Sequence, residues 1–153
     1  MKAVIQRVAN ASVKIDGVTV GECGQGLMIL LGVANGDSEE DARLLCAKIC
    51  NLRIFRDEND KMNLSVKNID GEALVVSQFT LMANYKHGNR PDYLESASPD
   101  EANRLYEYFK SLMSAELKHV GCGVFGAHME VSLINDGPVT IVMDSEVLKK
   151  KKA

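Results

Sequence analysis

Leu74-Val75-Val76-Ser77-Gln78-Phe79-Thr80-Leu81 is the stretch from which the rest of the chain can be read. It follows the turn pair Asp70-Gly71 and opens as a run of β-branched and aliphatic residues, the pattern of a buried strand. Hydrogen-bonding side chains then arrive at Ser77, Gln78 and Thr80. With a side-chain period of two, Val76, Gln78 and Thr80 share one face, and Val75, Ser77, Phe79 and Leu81 share the other. A long segment without periodicity follows, from Met82 to Ser98, carrying Asn84, Tyr85, Lys86, His87, Asn89 and Arg90. A rigid strand that ends in polar groups beneath a long loop is a common way to present a site. The same side chains can equally satisfy neighbouring backbone at a sheet edge, and spacing does not choose between the two.

The whole chain sets bounds on that site. Its 153 residues predict a single domain, 1–153, large enough to bury a real core. A hydrophobic content of 46% with 25% charged residues is that of a globular protein. The longest apolar run, Leu27 to Val33 with Gly32 inside it, is far too short to span a bilayer, so no membrane partner is expected. The N-terminus alternates and reaches charge at once, unlike a signal peptide, which predicts a cytoplasmic location. Cys23, Cys46, Cys50 and Cys122 then read as reduced, mostly buried thiols. Cys46 and Cys50 lie one helical turn apart, but no second ligand pair accompanies them, so neither metal nor cofactor is expected. A net charge of −3 argues against a surface broadly coated with nucleic acid, leaving only local contact.

In chain order, Lys2 to Val8 reads as a strand. Ala11 to Asp16 and Val18 to Cys23 flank the hairpin signal Asp16-Gly17. Leu27 to Val33 reads as a strand buried on both faces. Asp37 or Ser38 caps a helix with an acidic first turn and an apolar stripe at Ala42, Leu45, Cys46, Ile49 and Leu52. Ser98-Pro99-Asp100-Glu101 starts a second helix, with Leu105, Tyr106, Phe109, Leu112, Met113 and Leu117 on its buried side. Gly121 to Ile134 returns to period two, Asn135 to Pro138 reads as a tight turn, and Val139 to Met143 as a last strand. The expected fold is a mixed α/β domain of mostly antiparallel, barrel-like sheets with helices packed on one side, in β/β/α layers. Residues 149–153 read as a flexible basic tail.

Several constellations carry less than they promise. Gly121-Cys122-Gly123-Val124-Phe125-Gly126 matches the dinucleotide fingerprint, but a helix precedes it and a strand follows, the reverse of what pyrophosphate binding needs. Its glycines read better as places of close backbone approach. Ser77, with His87, His119, His128 and several aspartates, offers the raw material of a hydrolytic triad, but no Gly-x-Ser-x-Gly elbow surrounds it. His128 faces away from Phe125 and Met129 and reads as a surface or packing residue.

Four groups of residues taken together carry a more specific message. They are Gln6-Arg7-Val8, Ser77-Gln78-Phe79-Thr80-Leu81, Phe125-Gly126-Ala127-x-Met129 and Asn135-x-Gly137-Pro138-Val139-Thr140. In order and position they resemble the D-aminoacyl-tRNA deacylase (D-tyrosyl-tRNA deacylase) family, from Met1 to about Met143. The resemblance implies a homodimer that acts on the 3′ end of aminoacyl-tRNA at sites on the subunit interface. In such proteins Ser77, Gln78, Phe79 and Thr80 correspond to one wall of the pocket and supply the catalytic groups. Gly137 and Pro138 correspond to a cis pair that reaches in from the partner subunit as a chiral selector, steadied by an arginine at the position of Arg7. Phe125 and Met129 correspond to residues around the pocket for the terminal adenosine, and Ala127 to a further substrate-binding position. The ester is already reactive, so a placed water and oxyanion donors suffice, with Thr80 as covalent nucleophile a second option. The rival reading is a non-catalytic module that grips a nucleic-acid end.

Overall fold

β1 runs unbroken from Lys2 to Ile15, where the sequence reads as two strands parted at Ala9-Asn10. The computed structural model describes residues 1–149. The break in the pattern is real but takes the form of bulges: register against the last strand shifts between Gln6 and Val8 and again between Val8 and Asn10. The second shift changes which residues face inward. Ala3 and Ile5 point at the helices, whereas Val8, Ala11 and Val13 point into a second core. β2 (Val18–Cys23) follows through the Asp16-Gly17 turn, whose residues both take positive φ (49° and 79°), as a tight hairpin requires.

One edge of β1 is shared by β3 (Gly26–Gly32) and β2, and the other carries the long β8 (Glu130–Asp144). β6 (Glu72–Ser77) pairs parallel to β3, and β7 (Val120–Cys122) parallel to β6; β4 (Phe55–Arg56) and β5 (Met62–Leu64) form a separate small ribbon. The sheet is therefore mixed, with three antiparallel ladders and two parallel ones, and it curls until β7 meets β2. Glycines permit that meeting. A Cβ on Gly121 would sit 2.5 Å from the Glu22 carbonyl oxygen, and one on Gly21 would strike the Cys122 carbonyl. The glycines of the rejected fingerprint thus serve backbone approach.

Curling leaves two cores. Val8, Ala11, Val13, Cys23, Met28, Leu74 and Val76 fill the inside of the curl. Ile5, Leu27, Ile29, Leu31, Ala73 and Val75 face outward under α1 (Glu39–Asn51) and α2 (Pro99–Glu116). β3 and β6 are buried on both faces, which explains why they read as unbroken apolar runs. Both helix starts follow their caps. Ser38, not Asp37, caps α1, and its N–H donates to the Asp41 carboxylate at 2.9 Å. Ser98 caps α2, with Pro99 in its first turn.

Four expectations need correction. The strand 74–81 ends at Ser77 and gives way to a one-turn 3₁₀ helix, Phe79–Met82. The stretch 121–134 is not one strand: β7 stops at Cys122 and β8 begins at Glu130. Asn135 to Pro138 is not a tight turn but a bulge inside β8, because Thr140 pairs with Gln6 and Asn135 with Val8, leaving residues 136–139 opposite Arg7 alone. At the C-terminus α3 (Ser145–Leu148) precedes Lys149, which is no free tail: its Nζ lies 3.0 Å from Asp41 and 2.6 Å from Glu146. Lys150, Lys151 and Lys152 lie outside the described residues.

Candidate active site

The end of β6 is held from three sides. The Gln78 N–H donates to the Leu31 carbonyl at 2.8 Å, completing the ladder with β3. From α2, the buried Tyr106 hydroxyl donates to the Val75 carbonyl at 3.0 Å, and burial pushes that hydroxyl's pKa up. The Gly123 N–H donates to the same carbonyl at 3.2 Å. Past Gln78 the chain turns sharply, so Ser77, Gln78 and Phe79 line a single cavity of about 520 Å³ instead of alternating between faces. That volume suits a nucleoside-sized ligand.

The opposite wall is the irregular segment between β7 and β8. Phe125, Ala127 and Met129 line it, with Gly126 and His128 between them, so His128 is a surface residue that also lines the cavity. Phe125 leans on Tyr106, their ring centroids 6.2 Å apart, so one α2 residue braces both walls. Ala97, Pro99 and Ala102 add the start of α2 to the lining. Phe79 remains half exposed and meets Tyr93 edge-on at 4.9 Å. Sequence reasoning missed both tyrosines as site residues. Tyr106 was legible only as part of a helix stripe, and nothing in the spacing of Tyr93 marks it.

Thr80 is exposed and does not itself line the cavity, although its chain neighbour Phe79 does, and the Gln78 side-chain amide donates to its Oγ1. A hydroxyl that accepts from an amide keeps its own proton to donate. The N–H groups of Phe79 and Thr80 open the 3₁₀ turn, and among the described residues neither donates to another main-chain group. The three donors thus lie on two consecutive residues at the start of the 3₁₀ turn. No histidine, aspartate or glutamate among the described residues hydrogen-bonds to Ser77 or Thr80; His119 is engaged elsewhere, its Nε2 2.8 Å from the Glu22 carbonyl oxygen.

Gly137 and Pro138, joined by a cis peptide, are exposed and do not line the cavity of their own chain. The bulge that presents them is stapled from within. The buried Arg7 guanidinium donates from Nε to the Asp136 carbonyl (2.9 Å) and from Nη1 to the Ile54 carbonyl (2.7 Å). The Asn135 amide donates to the carbonyls of Arg7 (3.0 Å) and Val139 (2.8 Å). So the candidate residues fall into two groups: a cavity with donors at its edge, and an exposed strap on β8.

Comparison with known proteins bears on the chain as a whole. The family model described as D-Tyr-tRNA(Tyr) deacylase matches residues 4–144. A relative from Caldicellulosiruptor saccharolyticus named D-aminoacyl-tRNA deacylase is 58% identical over 95% of this chain and 98% of its own length. Among solved structures, a c-Myc DNA unwinding element binding protein superposes with a TM-score of 0.89 at 38% identity, covering 94% of this chain and 98% of its own. A "probable eukaryotic D-amino acid tRNA deacylase" superposes with a TM-score of 0.78 at 16% identity, over 93% of this chain and 97% of that one, which speaks for the fold alone. With its sequence matched almost from end to end and its fold shared, the chain belongs to the D-tyrosyl-tRNA deacylase family.

Proposed function

We propose that this protein hydrolyses the ester of D-aminoacyl-tRNA to free D-amino acid and tRNA, and spares L-aminoacyl-tRNA. The observation that carries the reading is that the Phe79 and Thr80 N–H groups, without main-chain partners among the described residues, and the amide-bound Thr80 hydroxyl lie on consecutive residues, of which Phe79 lines a nucleoside-sized cavity. Attack of water on an ester places negative charge on the carbonyl oxygen, and donors fixed in advance at that oxygen lower the barrier. An oxyanion-stabilising or water-orienting Thr80 fits better than a nucleophilic one, because no base is hydrogen-bonded to it among the described residues. Phe125, Ala127 and Met129 hold the terminal adenosine in this reading, with Ser77, Gln78 and Phe79 opposite.

The cavity works as half of a site. β8 is a long edge strand that pairs only with β1 among the described residues and leaves Val131, Ile134 and Val142 exposed. An edge of that kind invites a second copy. In the homodimer the exposed Gly137-Pro138 strap of one protomer enters the cavity of the other. Its main-chain carbonyls accept from the substrate's α-amino group and turn the α-hydrogen towards the wall. An L side chain would meet that wall, whereas D residues of many kinds would clear it. Glycine has no side chain to exclude, so glycyl-tRNA is cleaved as well. The setting is translation proofreading in the cytoplasm.

A second reading, a module that binds a nucleic-acid end without chemistry, draws on the 38%-identical structure named for DNA binding. One assay separates them: hydrolysis of D-tyrosyl-, L-tyrosyl- and glycyl-tRNA by wild type and Thr80→Ala, with chelator present. Loss of the D and glycyl esters alone, slowed at least tenfold in Thr80→Ala, is the expected result. Cleavage of none of the three favours the binding module, and cleavage of the L ester as well removes the selector.

A further inference from the structure

The segment between the 3₁₀ turn and α2 is a braced finger, not a slack loop. Asn84 and Asp92 exchange main-chain hydrogen bonds across its base (2.8 and 3.0 Å). The Asn84 side chain accepts from the Lys86 N–H at 3.0 Å, and that of Asp92 from the Leu94 N–H at 3.2 Å. Its return limb is tied down: the Ala97 N–H donates to the Val33 carbonyl (3.0 Å) and the Asn35 N–H to the Glu95 carbonyl (2.8 Å). Both ends are rooted in the site, since Phe79 lines the cavity at one end and Ser96 and Ala97 at the other.

The tip, residues 85–91, carries cationic and aromatic side chains. Every one of its residues is exposed, with Tyr85 82% exposed. It holds Tyr85, Lys86, His87 and Arg90 and no carboxylate, in a chain whose net charge is −3. Neither Lys86 nor Arg90 takes part in an ion pair among the described residues. A bridged seven-residue loop projects at most about 12 Å, far enough to meet phosphates outside the cavity. Cations interleaved with an unstacked aromatic suit single-stranded nucleic acid: cations meet phosphates, and the ring takes a base.

We propose that this finger grips the backbone of the tRNA acceptor end just upstream of the terminal adenosine. Lys86 and Arg90 pair with phosphates there, and Tyr85 stacks on an unpaired base. The proposal rests on the reading of the cavity as the site of the terminal ester. It gives an acidic protein a local contact for an anionic substrate: two cations stand at the tip of an arm rooted at the reaction site, with Asp92 and Glu95 back at its base.

The test compares wild type with Lys86→Ala/Arg90→Ala and with Tyr85→Ala on two substrates, D-tyrosyl-tRNA and D-tyrosyl-adenosine, the second lacking all upstream phosphates. For the double variant, kcat/KM on the tRNA falls roughly tenfold or more through KM, and the salt dependence of log(kcat/KM) flattens by about 1–2. Cleavage of D-tyrosyl-adenosine stays within about twofold, because the cavity is untouched. Equal loss on both substrates, or no loss on either, overturns the proposal. Filter binding of uncharged tRNA needs no turnover, so it judges the finger even if the hydrolytic reading fails. A double variant that binds uncharged tRNA as tightly as wild type refutes the finger alone.

Discussion

Arg7 is the residue whose loss tests most directly how β8 presents its strap. Its guanidinium lies buried between two carbonyls on different segments, Ile54 and Asp136, and Gly137 packs against it: a Cβ on Gly137 would come within 3.0 Å of Arg7 Nη2. Arg7→Met keeps most of the apolar stem and removes both donors. The Ile54 carbonyl is enclosed, so stripping its charged partner costs about 1–3 kcal/mol. The Asp136 carbonyl sits at the surface, where water replaces much of what is lost, so its share is about 1 kcal/mol or less. Releasing a guanidinium from burial returns part of this, and a net loss of about 2–3 kcal/mol remains. For a chain of this size that lowers Tm by roughly 5–10 °C.

Stability is only half of the expectation. With Arg7 gone, the four residues opposite it in the bulge lose their inner staple, and Asn135 alone ties them to β1. Deacylation at 25 °C, where the variant remains folded, should then fall by more than tenfold, because misplacement by about 1 Å can cost that much or more. Arg7→Lys, with one donor group in place of two, falls between. Thermal melts alongside D-tyrosyl-tRNA turnover read both quantities. An Arg7→Met protein that melts within about 1 °C of wild type and keeps its activity would refute the staple.

Two further perturbations probe other parts of the argument. A Cβ on Gly32 would lie 2.9 Å from Leu81 Cβ and 3.0 Å from the Gln78 carbonyl oxygen, so Gly32→Ala pushes the 3₁₀ turn off the end of β3. It should cost about 1–3 kcal/mol in urea unfolding and slow deacylation beyond that; unchanged activity would mean the donors do not depend on that turn. Burial opposes ionisation of Asp41, but hydrogen bonds from the Ser145 hydroxyl, the Ser38 main chain and Lys149 outweigh it and bring the carboxyl down to about 2. A depressed pKa stabilises the fold fully above the unfolded value near 4 and is lost as pH falls towards 2, a contribution of about 2 kcal/mol. Asp41→Asn should flatten the acid limb of stability between pH 4 and pH 2 by that amount, and an unchanged limb would remove Asp41 from the account.

The sequence was legible wherever a segment's conformation is decided by its own residues. The caps at Ser38 and Ser98, the Asp16-Gly17 hairpin and the two-faced burial of β3 and β6 all follow from local pattern and local chemistry. It misled at the places that matter most for the site. Gln78-Phe79-Thr80-Leu81 continues a period of two with nothing to stop it, yet the strand ends at Ser77. The stop is written elsewhere: Gly32, the single glycine in an apolar run 45 positions before Ser77, leaves the space across which the turn folds. The β8 bulge repeats the lesson. Asn135-Asp136-Gly137-Pro138 carries every local mark of a tight turn, but Arg7 at the other end of the chain holds it open as part of a strand. In both cases the segment bearing the candidate chemistry is bent out of its own preference by one residue distant in sequence. Such bends aim hydrogen-bonding groups away from the ladders that would otherwise consume them. Among the described residues the Phe79 and Thr80 N–H groups have no main-chain partner because the strand stops, and the Gly137-Pro138 strap stands clear because the ladder skips it. Periodicity fails at these points for the same physical reason that they can serve as a site.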